Sequence, residues 1–560
     1  MTIDPFTLAI LQSSLVGIAR DMKIMTMRTA YTQLWKEQGD LSCCLMNEDG
    51  EIIAQDPNGF PIHVTTMPLQ LQGAVSEIGK KNLKPGDVIA TNDPFIGGTH
   101  LPDVLIARPL FHEGSIYGYS CNRGHWADIG GMGPGSYSPA TSDIHQEGIL
   151  IPPVKLFENG KPNTGIFEMI MCNIRNRSIG MGDLRAQYAS CETAERRLLS
   201  LINRYGIHVL KEAMSEVIAR AEKLTRMQIA EFPDGNYHAR DCLDGNGLSE
   251  EQSWIDVQVN IEGSNVVVDL TKSSPQSKGG MNCSHSAAAS AVQYAIKSIT
   301  DPDNPPNAGS YKPIVVKTLK GTVVDAERPG SIVGFGEVCY RVFDATMAAI
   351  SDAIGDRAIA SGSGSTGTVV ISGRQKTDKG YRNFTTLELS SGAYGARATS
   401  DGINAIRYGP GNAGHIPLEA DELENPLFFE AYEILCDTGG AGKFRGGNGF
   451  VRRFRIESEV AQICLCADRD RTPPPGLFGG LAGSIARYIV DYNTENERSL
   501  PSKTPYINLL KNCVVSLESA GGGGFGPPKD RDNKKIRYDL KNGYISLEKA
   551  KEIYGFYSDD

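Results

Sequence analysis

Long hydrophobic runs are missing from this sequence: nothing approaches the roughly 18 uninterrupted apolar residues that a membrane-crossing helix requires, so no helical span is expected. Positive charge is not in surplus either. With 56 Lys and Arg against 66 Asp and Glu, the formal net charge is -10. That balance argues against nucleic acid as a partner, because phosphate contacts need clustered cations. The first residues do not read as a secretory leader, since Asp4 and Pro5 come early and Arg20 and Lys23 fall where apolar residues belong. The twelve cysteines include no CxxC pair. Cys43–Cys44 and Cys464/Cys466 are close neighbours, but their spacing suits neither a zinc ribbon nor thioredoxin chemistry. They read as small buried hydrophobes in a reducing compartment, so a cytoplasmic location is expected.

What is present is an ordinary globular composition, 40% apolar and 22% charged, over 560 residues. That length supports several domains and a large core. Glycine is the outlier at 62 residues, many of them clustered, as in Gly97-Gly98, Gly130-Gly131, Gly446-Gly447 and Gly521 to Gly524. Such clusters mark tight turns and close backbone approaches.

Asp4-Pro5 is an N-cap followed by proline at the first helical position. Leu8, Leu11, Leu15, Ile18 and Met22 recur behind it at helical spacing, predicting one long helix to about Arg28. Short apolar runs around Asn47-Glu48-Asp49-Gly50 predict a hairpin over 41–54. A helix is expected over Met67 to Lys80, and strands over Val88–Ala90, Val104–Leu110 and Ile116–Cys121. A helical block follows over 183–231, then strands at 255–261, 266–270, 314–316 and 322–324, with a helix at 287–299 between them. Residues 493–503 look like an exposed insertion, and Ser546 caps a terminal helix over 547–554. The pattern describes a mixed α+β chain with several β-sheets, a long N-terminal helix and glycine-rich loops. Domain borders are expected near 235 and 420, giving segments 1–235, 236–420 and 421–560.

Chemistry concentrates between Lys36 and Glu147. Four of the nine histidines lie between His100 and His145, and His63 is just upstream. The central pattern is Thr99-His100-Leu101-Pro102-Asp103, followed by Arg123-Gly124-His125-Trp126-Ala127-Asp128. His100 and Asp103 are three residues apart and can face one point, and His125 arrives at the end of a predicted strand. Two imidazoles and a carboxylate suit Zn, Mn or Fe(II) with open coordination positions. A further carboxylate is available from Asp40 or Glu37. On spacing alone, polar loop residues bonded to backbone remain the competing interpretation. His112, His208, His238, His285 and His415 read as surface or structural histidines. Thr438 to Lys443 imitates a phosphate loop but has Asp437 and Phe444 where glycine and Ser or Thr are required.

These motifs, together with Asn92-Asp93-Pro94-Phe95-Ile96-Gly97-Gly98, Pro61-Ile62-His63-Val64, Gly446-Gly447-Asn448-Gly449 and Gly521 to Gly526, resemble the hydantoinase B family nearly end to end. This family includes the B-type parts of 5-oxoprolinases, N-methylhydantoinase and caprolactamase subunits, and subunits of acetone and acetophenone carboxylases. The resemblance implies one divalent metal held by His100, Asp103 and His125, with Asp40 completing the shell and Glu37 in reserve. It also implies Asp128 and His145 as groups that orient a ligand or face the substrate. ATP would be used by a separate hydantoinase A-type ATP-binding subunit, which phosphorylates the substrate. This chain would then hydrolyse an activated cyclic amide, with Asp40 or Asp128 as general base. The alternative it implies is ketone carboxylation with bicarbonate-derived CO2. A scaffold carrying only a structural metal is the lesser reading, because a closed structural zinc shell favours cysteine and histidine.

Overall fold

The computed structural model describes residues 3–378 and 380–557. Its N-terminal helix, Pro5–Thr29, starts as the sequence predicts: the Asp4 carboxylate accepts the Phe6 and Thr7 N–H groups at 3.1 and 3.0 Å. Leu8, Leu11, Leu15, Ile18 and Met22 are its buried stripe.

The sheet that positions the site has seven antiparallel strands: β1 (Leu41–Asn47), β2 (Ile52–Gln55), β3 (Val88–Thr91), β4 (Asp103–His112), β5 (Ser115–His125), β6 (Val154–Glu158) and β7 (Lys161–Pro162). Their order across the sheet is β2-β1-β5-β4-β3-β6-β7. Alternation along the strands divides the apolar residues between two faces. Leu45, Val104 and Ile106 join the core with the N-terminal helix and with helix Arg177–Tyr205. Cys44, Met46, Leu105 and Ala107 pack instead with Val64, Met67 and Leu71 of helix Pro61–Ile78. Both faces are therefore covered by helices.

Among the described residues, three further sheets complete a mixed α+β architecture. One joins strands Gly235–Leu243, Ser253–Glu262, Asn265–Asp269 and Ile314–Lys317. A second pairs Thr368–Thr377 and Gly380–Leu389 with Val460–Cys466 and Lys503–Leu510, so it draws strands from both sides of residue 420. The five-stranded fourth sheet uses residues 427–518 and packs a separate apolar cluster against the second.

Several boundaries differ from expectation. Helix Pro61–Ile78 begins six residues before the predicted start, because Pro61 sits in its first turn and Pro68 is tolerated inside it. The block over 183–231 is two helices, Arg177–Tyr205 and Ile207–Ile229, broken at Gly206, whose φ is 85°. Residues 322–324 form a turn with isolated bridges rather than a strand. The exposed stretch at 493–503 contributes a short edge strand, Arg498–Leu500. Every cysteine is free, and all but Cys172 and Cys436 are buried.

The glycine clusters have one structural explanation. Segments 394–405, 438–449, 476–483 and 519–526 run against one another with backbone bonds such as Gly440 N–H to Gly522 O and Gly524 N–H to Leu481 O. A Cβ on Gly446 would lie 1.9 Å from the Gly522 oxygen, so side chains cannot enter this stack. The sequence over 438–443 is part of it.

Candidate metal centre

Three neighbouring strands end together at the site. In β4 and β5, Asp103 pairs directly with His125. In β1 and β5, Leu41 pairs with Gly124, and the His125 N–H donates to the Asp40 carbonyl at 3.2 Å. Antiparallel register thus sets Asp40, His125 and Asp103 side by side where neighbouring strands end. His100 joins them from the turn before β4, and His63 from the first turn of helix Pro61–Ile78.

Glycine makes this arrangement possible at Gly124. A Cβ there would lie 2.3 Å from the Trp35 ring, so only glycine lets the indole lie across β5. Trp35 then donates its Nε1–H to the His125 carbonyl at 2.7 Å, fixing the strand end. Asn92 braces the other side: its amide donates to the carbonyls of Leu101 and Ile149 and accepts from the Ile151 N–H. Arg123 is fully buried beneath the site and ties β5 to helix Pro61–Ile78, donating to the His63 carbonyl at 2.9 Å and to Thr66 and Gln70.

The convergence is tight. Nε2 of His100 and Nδ1 of His125 face each other at 3.1 Å, and Oδ1 of Asp103 lies 3.1 Å from the first and 3.2 Å from the second. The other oxygen of Asp103 is 3.2 Å from Nε2 of His63 and accepts from the Thr99 hydroxyl at 2.5 Å. Asp40 Oδ1 is 3.9 Å from the same His63 nitrogen. All five side chains are buried, and Tyr137 and Phe335 wall them in, with ring centroids 5.6 and 4.5 Å from His100.

Electrostatics separate the roles. Burial lowers the pKa of His100 and favours its neutral, ligating form, with Asp103 opposing. Burial alone would raise Asp103, but the imidazoles of His100 and His63 outweigh it and hold this carboxyl well below the usual range. For His125, burial is likewise outweighed, by the hydrogen bond to Asp103 and the charges of Asp40 and Asp103, so its pKa rises.

The donor set fits a divalent cation. Ligands about 2.1 Å from one ion stand roughly 3.0 Å apart at cis-octahedral angles and roughly 3.4 Å apart at tetrahedral ones. The triangle of His100, His125 and Asp103 atoms falls within that interval. Asp40 Oδ1 is buried without a hydrogen-bond partner, a costly arrangement that a neighbouring cation relieves. The outward nitrogens, His100 Nδ1 and His125 Nε2, also have no partner, so the hydrogen-bond support usual for ligand imidazoles is missing. A second acidic group, Asp244, Asp468 and Asp470, is already engaged by Lys503, Arg341, Thr472 and Ser502.

The remaining expected residues lie elsewhere. Glu37 is exposed, three residues from the buried Asp40. Asp128 accepts the N–H groups of Gly130 and Gly135 and pairs with Arg175 at 2.9 Å, which anchors the loop after His125. It borders a cleft of about 470 Å³ together with Arg175, Arg374 and Arg382, and none of the five converging side chains lines that cleft. His145 is exposed on a short turn. His63 came within reach only because its helix begins early.

The sequence model of the Hydantoinase B/oxoprolinase family matches residues 4–528. The chain belongs to this family. An uncharacterized relative from Methanocaldococcus jannaschii is 31% identical, covering 98% of this chain and 96% of the relative. The caprolactamase subunit beta of Pseudomonas jessenii is 29% identical over 99% of this chain and 96% of its own. The crystal structure of the ATP-dependent caprolactamase from that organism matches with a TM-score of 0.93 at 27% identity, covering 100% of this chain and 97% of that one. Acetone carboxylase in its nucleotide-free form shares the fold, with a TM-score of 0.90 at 19% identity over 99% of this hydantoinase B-type chain and 79% of its own.

Proposed function

We propose that this hydantoinase B-type chain is the metal-binding catalytic subunit of an ATP-dependent enzyme that hydrolyses a cyclic amide, a lactam or hydantoin, after a partner subunit has phosphorylated it. The observation that carries this reading is the buried convergence of His100, Asp103 and His125 beside the unpartnered Asp40 carboxylate. The likeness to an ATP-dependent caprolactamase supports a lactam as the substrate class.

An amide carbonyl is a poor electrophile, and phosphorylation of its oxygen converts that oxygen into a leaving group. The ATP-binding partner is the hydantoinase A-type subunit, consistent with the Thr438–Lys443 segment lying in the glycine stack rather than in a strand–loop–helix phosphate site. His100, Asp103, His125 and Asp40 would hold Zn, Mn or Fe(II) here. When bound, such an ion supplies the Lewis acidity that hydrolytic attack on the activated carbon needs. Asp40, whose Oδ1 has no hydrogen-bond partner, would serve either as the fourth ligand or as the base that takes the proton of the attacking water, with His63 beside it as the next acceptor. Tyr137 and Phe335 exclude bulk water from the His100 ring. Asp128 supports the loop that follows His125.

The test is an ATP-dependent assay of the assembled complex with a lactam, a hydantoin, and a ketone plus bicarbonate. Ring opening coupled to ATP consumption is expected. Carbon–carbon bond formation with no ring opening would instead assign the chain to ketone carboxylation, the activity named for a protein of the same fold.

A further inference from the structure

Near the candidate metal cluster lies a buried cation that pairs with no carboxylate among the described residues. Arg407 is 6% exposed, and none of Nε, Nη1 or Nη2 has a hydrogen-bond partner. Burying a guanidinium without acceptors is expensive, and buried arginines are normally paired. Other buried arginines are satisfied: Arg341, Arg452 and Arg469 face carboxylates, and Arg123 donates to the His63 carbonyl, Thr66 and Gln70. At Arg407 the contacts are instead the Phe60 ring, whose centroid lies 5.9 Å from the guanidinium carbon, and the Tyr340 hydroxyl that the guanidinium faces.

Its position links it to the site. The Phe60 ring lies 4.6 Å from the His63 ring of the cluster, tilted by 40°, so the sum of these two distances bounds the gap between the His63 ring and the guanidinium carbon. The loop that carries Arg407 docks on both segments that shape the metal centre. Asn412 donates to the Gly59 carbonyl at 3.1 Å, and the Gly414 N–H donates to the Gln38 carbonyl at 2.8 Å. Gly411 keeps space open between these groups. A Cβ there would lie 2.5 Å from the Tyr340 hydroxyl, 3.0 Å from Arg407 Nη2 and 3.3 Å from the Phe60 ring. His415, further along the loop, is held neutral: burial, then the charges of Arg452 and Arg407, push its pKa down to about 3. It therefore offers Arg407 no competing positive charge.

We propose that Arg407, with the Tyr340 hydroxyl, binds the phosphoryl group of the activated substrate while the reacting carbon faces the metal cluster. The inference rests on the hydrolytic reading above and adds the residue that recognises the phosphorylated form. Donor count favours a phosphoryl group over a carboxylate. Five guanidinium N–H groups and a phenol exceed what the roughly four lone-pair sites of a carboxylate can accept, whereas three phosphoryl oxygens accommodate them. Arginine is also the side chain whose planar fork matches phosphate in two parallel bonds. Substrate that has not been phosphorylated would leave this cation unsatisfied, so the site discriminates in favour of the activated intermediate.

The test uses the full chain with its metal and inorganic phosphate as the probe, read by calorimetry, with acetate as the planar control. Metal content and melting temperature are recorded for every variant. Phosphate is expected to bind once per chain, to survive chelation of the metal, and to lose affinity about tenfold or more in Arg407→Met, with metal content and melting unchanged. Arg407→Lys keeps the charge but not the fork, so it is expected to lose about threefold or more, and it decides the matter if the methionine variant does not fold. Wild type that ignores phosphate, a folded variant that binds it undiminished, or acetate binding as well as phosphate would each overturn the proposal. Failure of the hydrolytic reading is separate: it appears as a metal-free wild type or as absent ring opening, neither of which this titration measures.

Discussion

Single residues here are tuned by burial more than by solvent-exposed charge. Glu147 is the clearest case outside the metal cluster. One of its oxygens accepts from the Ser331 hydroxyl and the Ile332 and Val333 N–H groups, while the other is buried without a partner. Burial outweighs those three donors and pushes its pKa up to about 7 from 4.5. Between those values the folded chain holds a proton that the unfolded chain has released. Its stabilising effect is therefore complete below pH 4.5 and is lost as pH rises through 7, a change of about 3 kcal/mol. Glu147→Gln keeps the shape and removes the titration. Thermal melts at pH 5 and pH 8 are expected to differ less in the variant than in the wild type, and an equal difference in both would contradict the account.

At the scale of elements, the legible parts of the site were those carried by short-range pattern. His100 and Asp103 share one turn, and His125 ends a strand marked by alternating apolar residues, so all three could be named from the chain. Asp40 was preferable to Glu37 only by resemblance, and register explains why it is buried: it continues β1 into the row occupied by His125 and Asp103. His63 was harder to place, because Pro68 looks like the start of a helix when it lies inside one. Phe335, Tyr137 and Arg407 gave no local signal. Tyr137 follows His125 by 12 residues and Phe335 and Arg407 by more than 200, all reaching the site through packing between layers that nothing in spacing or periodicity encodes. The same reason applies to the sheet that joins strands on either side of residue 420, since long-range pairing is invisible to local pattern.

For the molecule as a whole, the layers are held together by buried ion pairs as well as by apolar packing. Arg469 bonds Asp241 of strand Gly235–Leu243 at 2.6 Å and Asp344 of helix Phe335–Ala349 at 3.1 Å, while Arg341 of that helix reaches Asp468. Removing one member strands a buried charge, which typically costs about 3–5 kcal/mol. Arg469→Met is expected to lower the denaturant midpoint accordingly, and an unchanged midpoint would show that packing alone joins these layers. This frame holds one end of the seven-stranded sheet against helix Phe335–Ala349, so the candidate metal centre lies between layers instead of on a surface loop.

The central claim is that His100, Asp103 and His125 hold a divalent metal, and elemental mass spectrometry of the purified chain tests it most directly. Wild type is expected to carry close to one Zn, Mn or Fe per chain, and His100→Ala and Asp103→Ala are expected to lose it. A metal-free wild type that still supports ring opening with its ATP-binding partner would contradict the claim.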